Sequence, residues 1–336
     1  MKLNGLHTLI FCLFVLAMLS SCFKEEKPLL RPPVGVSEVV EIPLTSKYDK
    51  QFYFDLFTNQ IVKSHSNEIW DLAFDADENG YYIWLNCSKL MQAWNTGSKD
   101  FDAITSYNNA KWTWDYSDGD LSKNAIGKWG NFSNGSVISK NEVYVIDRGV
   151  NKNEVNLGKR KIIFESLQNG TYKIKFAKIN GEDVRTLEIP KDNRFNRVYF
   201  SFNNDGEIVQ VEPEKNTYDL IFTRYTHVFL EFDTLPYLVT GTISNLAGVT
   251  VAKDSTLKFE DITLADVNNM TFSNTPDAIG YDWKSFDINQ EKYEIIAGRY
   301  YVVKDIEGNF YKLRFLDFFS STGERGYPKF EYQALQ

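Results

Sequence analysis

An all-β, antiparallel fold of meander or sandwich-like layout, built as two tandem units, is what the chain predicts, and three observations carry it. The 336 residues include 25 Phe and 19 Tyr, side chains that suit half-buried strands. Short alternating apolar runs recur along the chain, separated by turns containing Gly or Asn. Finally, the chain repeats itself. Gln51–Phe74 (QFYFDLFTNQIVKSHSNEIWDLAF) and Arg197–Phe222 (RVYFSFNNDGEIVQVEPEKNTYDLIF) share an aromatic strand, a polar turn, an Ile-Val pair, and Trp or Tyr before Asp-Leu-x-Phe. Tyr53 and Tyr199 are 146 positions apart and Asp71 and Asp219 are 148 apart, so the second copy gained two residues on the way.

A second echo is a hairpin. Arg160–Phe176 (RKIIFESLQNGTYKIKF) lies over Arg299–Phe315 (RYYVVKDIEGNFYKLRF) at an offset of 139, each reading as strand, Gly-containing turn, strand. The resulting organisation is a signal peptide at 1–21, a lipidated Cys and tether at 22–47, a first β unit at 48–196 and a second at 197–336.

The N-terminal stretch reads as targeting sequence. Lys2 precedes an apolar run at Leu9–Leu19, and Leu19-Ser20-Ser21-Cys22 has the form of a lipobox, whose Cys becomes the acylated N-terminus. The run is too short for a good membrane-spanning helix. Phe23-Lys24-Glu25-Glu26 resembles the signal that exports lipoproteins of Bacteroidota to the outer face of the outer membrane. Lipid anchoring at a cell surface is therefore expected. Lys27–Ile42 carries Pro28, Pro32, Pro33 and Gly35 and reads as an extended spacer. Of three cysteines, Cys12 leaves with the signal and Cys22 is acylated, so Cys87 stands alone and no internal disulfide is expected. A formal charge of −8 argues against nucleic acid or an anionic membrane surface as a partner.

Element by element, Phe52–Leu56 and Ile61–Val62 flank a Thr58-Asn59 turn, Ile69–Phe74 follows, and Tyr81–Leu85 reads as a buried strand. Leu90–Trp94 could form a short helix, but its periodicity is too slight to decide. From Trp94 to Gly135 the sequence loosens around Trp112, Trp114 and Trp129, which are either packing anchors or a surface for stacking sugars. Val143–Ile146, Lys161–Phe164, Tyr172–Phe176 and Val184–Ile189 complete the first unit. In the second, Val198–Phe202 and Glu207–Val211 precede a long strand at Tyr218–Phe232, ended by Pro236. Leu238–Ile243, Val249–Ala252 and Leu257–Phe259 are shorter strands, Ile262–Met270 a helical turn, and Tyr300–Lys304, Phe310–Phe319 and Lys329–Tyr332 a closing meander.

Catalytic constellations are scarce. There is no Gly-x-Ser-x-Gly, no phosphate-binding Gly loop and no His-Glu-x-x-His, and the acidic run Asp115–Leu121 lacks the closing Glu of an EF-hand. Catalysis is not expected. Beyond the signal only two His (His65, His227), two Met (Met91, Met270) and Cys87 remain as soft donors. Strand periodicity puts Leu220, Phe222, Arg224 and Thr226 on one face of the long strand. Ile221, Thr223, Tyr225, His227 and Phe229 share the other. An imidazole between two aromatic rings suits either a hydrogen bond within a sheet or a planar macrocycle with its iron. His65, in a Ser-rich loop, reads as exposed.

These motifs resemble the HmuY family, haem-binding surface lipoproteins of Bacteroidota, most closely at Tyr301–Phe315 (YVVKDIEGNFYKLRF) followed by Gly326–Tyr332 (GYPKFEY). The resemblance implies an all-β fold that holds haem between two axial side chains, His or Met. It further implies capture of haem from host haemoproteins and delivery to a TonB-dependent outer-membrane receptor. On that expectation the second copy is the binder, because Thr223–His227 has no chemical counterpart in Asp75–Asn79. His227 and Met270 are then the metal ligands, Tyr225 and Phe229 lie against the ring, and Arg224 or Arg299 meets a propionate. The competing expectation is a module that binds glycan or a partner protein through the Trp-rich segment.

Overall fold

The computed structural model describes residues 35–230 and 234–335. The signal sequence, Cys22 and the first part of the tether lie outside them. A first strand, β1 (Glu38–Glu41), precedes the repeat. Copy one supplies β2 (Lys50–Asp55), β3 (Gln60–Ser66), β4 (Leu72–Asp75), β5 (Ile83–Leu85), β6 (Gln92–Asn95), β7 (Gly130–Ser133), β8 (Ser136–Ser139), β9 (Val143–Asp147), β10 (Lys159–Gln168), β11 (Thr171–Lys178) and β12 (Arg185–Pro190). Copy two supplies β13 (Arg197–Ser201), β14 (Glu207–Val209), β15 (Leu220–Phe229), β16 (Leu235–Ser244), β17 (Thr250–Asp254), β18 (Lys284–Asp287), β19 (Lys292–Ile295), β20 (Tyr300–Lys304), β21 (Phe310–Phe319) and β22 (Arg325–Ala334). The expected all-β class holds, with one short α-helix at Leu264–Val267 where a helical turn is predicted.

Each copy builds one large antiparallel sheet. In copy one the neighbours run β6-β9-β10-β11-β12, with β8 and β7 added alongside β10; in copy two they run β17-β20-β21-β22-β1. The two remaining four-stranded sheets are mixed. One is β14-β13-β4-β5 and the other β16-β15-β2-β3, so each copy lends its first hairpin to the other. Arg197–Phe200 pairs with Leu72–Asp75, and Phe52–Phe54 pairs with Leu220–Phe222. The cores follow the exchange. Phe200 and Phe202 are buried among Leu72, Phe164 and Phe176, while Phe52, Phe54 and Leu56 are buried among Leu220, Phe222 and Phe330. The boundary near residue 197 divides the repeats in sequence, and both cores cross it.

Matching aspartates anchor the exchanged hairpins. The Asp71 backbone N–H donates to the Phe200 carbonyl (2.7 Å), and that of Asp219 donates to Phe54 (2.9 Å). The Asp71 carboxylate accepts from Phe202 N–H (2.7 Å), and that of Asp219 accepts from Leu56 N–H (2.9 Å). Asn86 and Asn245 brace the two turns in the same way. Asn86 donates to the carbonyls of Asn67 and Trp70, and Asn245 to those of Lys215 and Tyr218. The offsets seen in sequence are thus offsets between equivalent places in the fold.

The charges are not equivalent. Asp71 is fully buried with Lys89 (2.5 Å) and Arg148 (2.9 Å). Burial opposes its charge, but these cations outweigh it and hold the carboxyl below its ordinary range. Asp219 has no such partner among the described residues. Burial, with Asp55 and Asp305 nearby, pushes its carboxyl well above the ordinary range.

Four local expectations change. The hairpin match at offset 139 is displaced by one strand, because sheet order makes β10 and β11 the counterparts of β21 and β22. Two buried lysines mark the true register. Lys161 donates from Nζ to the carbonyls of Phe101 and Ile104, and Lys312 to those of Phe259, Glu260 and Ile262. Each ammonium also lies near the ring of its loop Phe, at 4.7 Å from Phe101 and 5.0 Å from Phe259. Pro236 sits inside β16 rather than ending the preceding strand, a place open to Pro because β16 is the edge of its sheet. The undecided stretch at Leu90–Trp94 leads into strand β6, recruited by β9. Leu257–Phe259 forms no strand; a 3-10 turn at Phe259–Asp261 places the carbonyls that Lys312 needs.

Asp71→Asn leaves two buried cations without their anion and is expected to destabilise the fold by about 3–5 kcal/mol. Asp219→Asn, which keeps an acceptor for Leu56 N–H, is expected to cost about 1 kcal/mol or less. Urea unfolding of the two variants checks the contrast, and equal losses would contradict it.

Candidate functional site

A cleft of about 1090 Å³ opens where copy two's long hairpin meets two loops of copy one. Its aromatic lining comprises Tyr48, Phe229, Tyr237, Tyr281, Phe286 and Tyr293. Lys47, Lys152, Arg224 and Arg325 supply four cations against one carboxylate, Glu154, with the buried amine of Lys284 beside them. On a chain of net charge −8 this local excess of positive charge favours an anionic ligand with a flat apolar body.

Strand alternation puts these groups in place. Leu220 and Phe222 enter the core of copy two, as expected of one face of β15. On the other face, Ile221, Thr223 and Tyr225 line a separate internal cavity, while Phe229 reaches the cleft. Arg224 also borders the cleft, its Nε–H donating to the Ser88 carbonyl (2.7 Å), with Glu68 3.9 Å from its outer nitrogen.

His227 stands beside the cleft. Its ring packs on Phe229 (centroids 4.8 Å apart) and Tyr281 (4.9 Å), both of which line it. Nδ1 faces the Ser117 hydroxyl at 3.4 Å, and Ser117 donates to the Asp277 carboxylate at 2.7 Å. An oriented Nδ1 leaves Nε2 as the nitrogen for a metal. Ser117 belongs to the loosened Trp-rich segment of copy one, so the candidate ligand of copy two is braced by copy one.

The other sequence candidates lie elsewhere. Met270 packs with Ala252, Ile262, Val267 and Val302 in a cluster of its own, apart from the aromatic rings around His227. Tyr225 is fully buried, and its hydroxyl has no hydrogen-bond partner among the described residues. Arg299 pairs with Asp282 at 2.9 Å. His65 is part of β3, its Nδ1 at 2.7 Å from the Ser66 carbonyl, rather than exposed in a loop. Trp129 fills the core of copy one, and Trp112 lies under the Lys159 ammonium at 5.7 Å. Among the described residues no cluster of three or more His, Cys, Asp or Glu is arranged for a metal ion. Burial pushes the Cys87 thiol up to about 11, so it is a poor nucleophile.

Sequence reasoning missed Lys284. This residue starts β18 and turns its ammonium inward, over the rings of Trp283 (4.1 Å) and Phe318 (4.6 Å), toward the Thr240 carbonyl. Burial pulls its pKa down to about 7, with Asp282 acting in the other direction. A lone Lys opening a short strand carries no signal of this in sequence.

The family model for HmuY protein matches residues 47–187 and again 193–332. No curated protein matches the chain. Among solved structures, apo PinO from Porphyromonas gingivitis is similar at 10% identity, covering 90% of this chain and 98% of its own, with a TM-score of 0.29. A Bacteroides vulgatus protein described as HmuY-like and heme-binding shares 12% identity, over 88% of this chain and 91% of its own, with a TM-score of 0.24. The apo HmuY analog of Tannerella forsythia shares 10%, over 91% and 100%, with a TM-score of 0.26.

Lys284 sets a pH dependence. Between about pH 7 and the ordinary lysine range the unfolded chain holds a proton that the folded chain does not, so this group makes stability rise with pH across that window. Below about pH 7 the cost of burying the charge is fully present. Lys284→Met is therefore expected to raise the melting temperature at about pH 6 by several degrees, and the gain to shrink or reverse near about pH 10. Thermal melts of both proteins at the two pH values test it; a pH-independent difference would contradict the assignment.

Proposed function

The chain belongs to the HmuY family, and on that premise we propose that it is a surface-anchored lipoprotein that captures haem for uptake through a TonB-dependent outer-membrane receptor. The cleft carries this reading. Haem is a flat aromatic ring with two carboxylates, and the cleft offers aromatic surface and a surplus of cations in one place. Here haem is cargo, and the role is binding rather than catalysis.

The proposed division of labour follows the geometry. Phe229, Tyr237 and Tyr281 offer ring surface to the macrocycle, and Arg224, with the lysines of the rim, offers cations to its propionates. His227 is the histidine beside the cleft, and Ser117 fixes its Nδ1 side so that Nε2 is offered to iron. Met270, the second ligand expected from sequence, is held in a different apolar cluster, so its part requires its own variant. The lipid anchor at Cys22 and the spacer behind it would hold this cleft at the cell surface, where host haemoproteins are the source of haem.

Haemin titrated into the purified protein is expected to give a sharpened, red-shifted Soret band at micromolar concentration. His227→Ala is expected to weaken binding by at least about tenfold and to shift the band. Met270→Ala, read in the same titration, decides whether its thioether joins the iron. An unchanged haemin spectrum with the wild-type protein overturns the haem reading.

A further inference from the structure

Asp277 reaches His227 through Ser117. The Ser117 hydroxyl lies between two partners, donating to Oδ2 of Asp277 at 2.7 Å and facing Nδ1 of His227 at 3.4 Å. Ser117 comes from the loosened segment of copy one, and its two partners come from copy two, 110 and 160 positions downstream. Nothing in the sequence singles out Asp277.

Main-chain hydrogen bonds fix both ends of this chain. Ser244 N–H donates to the Pro276 carbonyl (2.7 Å), Thr242 N–H to that of Gly280 (2.9 Å), and Gly280 N–H returns to the Thr242 carbonyl (3.1 Å). The segment carrying Asp277 is thereby laced to the outer edge of β16. Glycine permits the close approach: a Cβ on Gly241 would stand 2.3 Å from the Gly280 carbonyl oxygen, and Gly280 itself has φ +68°. The next residue, Tyr281, packs on the His227 ring at 4.9 Å. On the other side, the buried Asp115 carboxylate, two residues before Ser117, receives the N–H groups of Leu85 (2.6 Å) and Ala125 (2.8 Å) and the Asn124 amide (3.0 Å).

Hydrogens can run only one way along the chain. An ionised carboxylate accepts and cannot donate, so Ser117 spends its single hydrogen on Asp277. What the hydroxyl then offers His227 is a lone pair, and Nδ1 must carry the proton to meet it. A neutral imidazole has one N–H, so Nε2 keeps its lone pair free. Without Asp277 the hydroxyl can turn its hydrogen to Nδ1. The imidazole proton then sits on Nε2 and closes that nitrogen to a metal.

We propose that Asp277 is a positioning residue that, acting through Ser117, holds His227 in the tautomer whose Nε2 can bind iron. The purpose of this lock rests on the haem reading; the lock itself rests on the hydrogen-bond chain alone.

Nitrogen-15 NMR of the imidazoles in the purified protein without haem, at about pH 8.5 where an ordinary imidazole is neutral, reports which ring nitrogen carries the proton. The His227 signal is identified by its loss in His227→Ala. In the wild type the proton is expected on Nδ1. Asp277→Ala and Ser117→Ala are expected to move it to Nε2, and Ser117→Thr, which retains a hydroxyl, to keep it on Nδ1. His65, whose Nδ1 faces the Ser66 carbonyl at 2.7 Å, is expected to stay unchanged in all of them. Asp277→Asn serves should Asp277→Ala melt early; an amide meets the hydroxyl with either an acceptor or a donor, so protons on both nitrogens are expected. In haemin titrations Asp277→Ala is expected to bind at least about tenfold more weakly than the wild type, and Ser117→Thr to match it. A wild-type proton on Nε2, a proton confined to Nδ1 in every Asp277 variant that folds, or an unchanged haemin affinity in a variant whose tautomer has moved overturns the proposal. An unchanged haemin spectrum with the wild type overturns the haem reading and with it the purpose of the lock, while the NMR still decides the lock itself.

Discussion

Two buried aspartates hold the molecule together as one object rather than two beads. Asp71 and Asp219 each pin, by backbone and carboxylate, the first hairpin of the other copy. The pairing of β2 with β15 and of β13 with β4 follows from that reciprocity, as do the aromatic residues each hairpin delivers into the neighbouring core. Neither copy closes its own core with its own residues alone. Duplication here produced interdependence, and the loss of either hairpin would expose both a sheet edge and a core face.

The two anchors have diverged in charge while keeping their geometry. Around Asp71, Lys89 and Arg148 supply cations in the interior, so the carboxylate can stay ionised. Around Asp219 the neighbours are acidic, and the carboxyl is driven toward its neutral form. The same backbone task is done by a charged group in one copy and by an acid in the other. That difference is consistent with a hydrogen-bonding role as the common requirement, the ion pair being an addition of copy one.

Exchange also explains how the aromatic cleft is assembled. The hairpin β15–β16 brings Phe229 and Tyr237, β18 and β19 bring Phe286 and Tyr293, and copy one closes the rim with Lys47, Tyr48 and Lys152. Ser117, from the loosest segment of copy one, sets the orientation of His227 in copy two. A site that reads in sequence as the property of the second copy thus depends on side chains about 110 to 180 positions upstream of His227.

Sequence alone determined the class, the duplication and the faces of the long strand, because aromatic alternation and the Asp-Leu-x-Phe echo are local patterns that survive without knowledge of partners. It also singled out His227, Phe229 and Arg224, since few His exist and the strand period orders their neighbours. The strand-shifted hairpin match shows the limit: two aromatic hairpins look alike in one dimension, and only sheet order and the buried pair Lys161 and Lys312 separate them. Which hairpin pairs with which copy, the inward turn of Lys284, the separate packing of Met270 and the meeting of Ser117 with Asp277 are all decided by contacts between residues far apart in sequence. Burial and hydrogen-bond satisfaction are properties of what surrounds a residue, and in an exchanged fold those surroundings come from the other half of the chain.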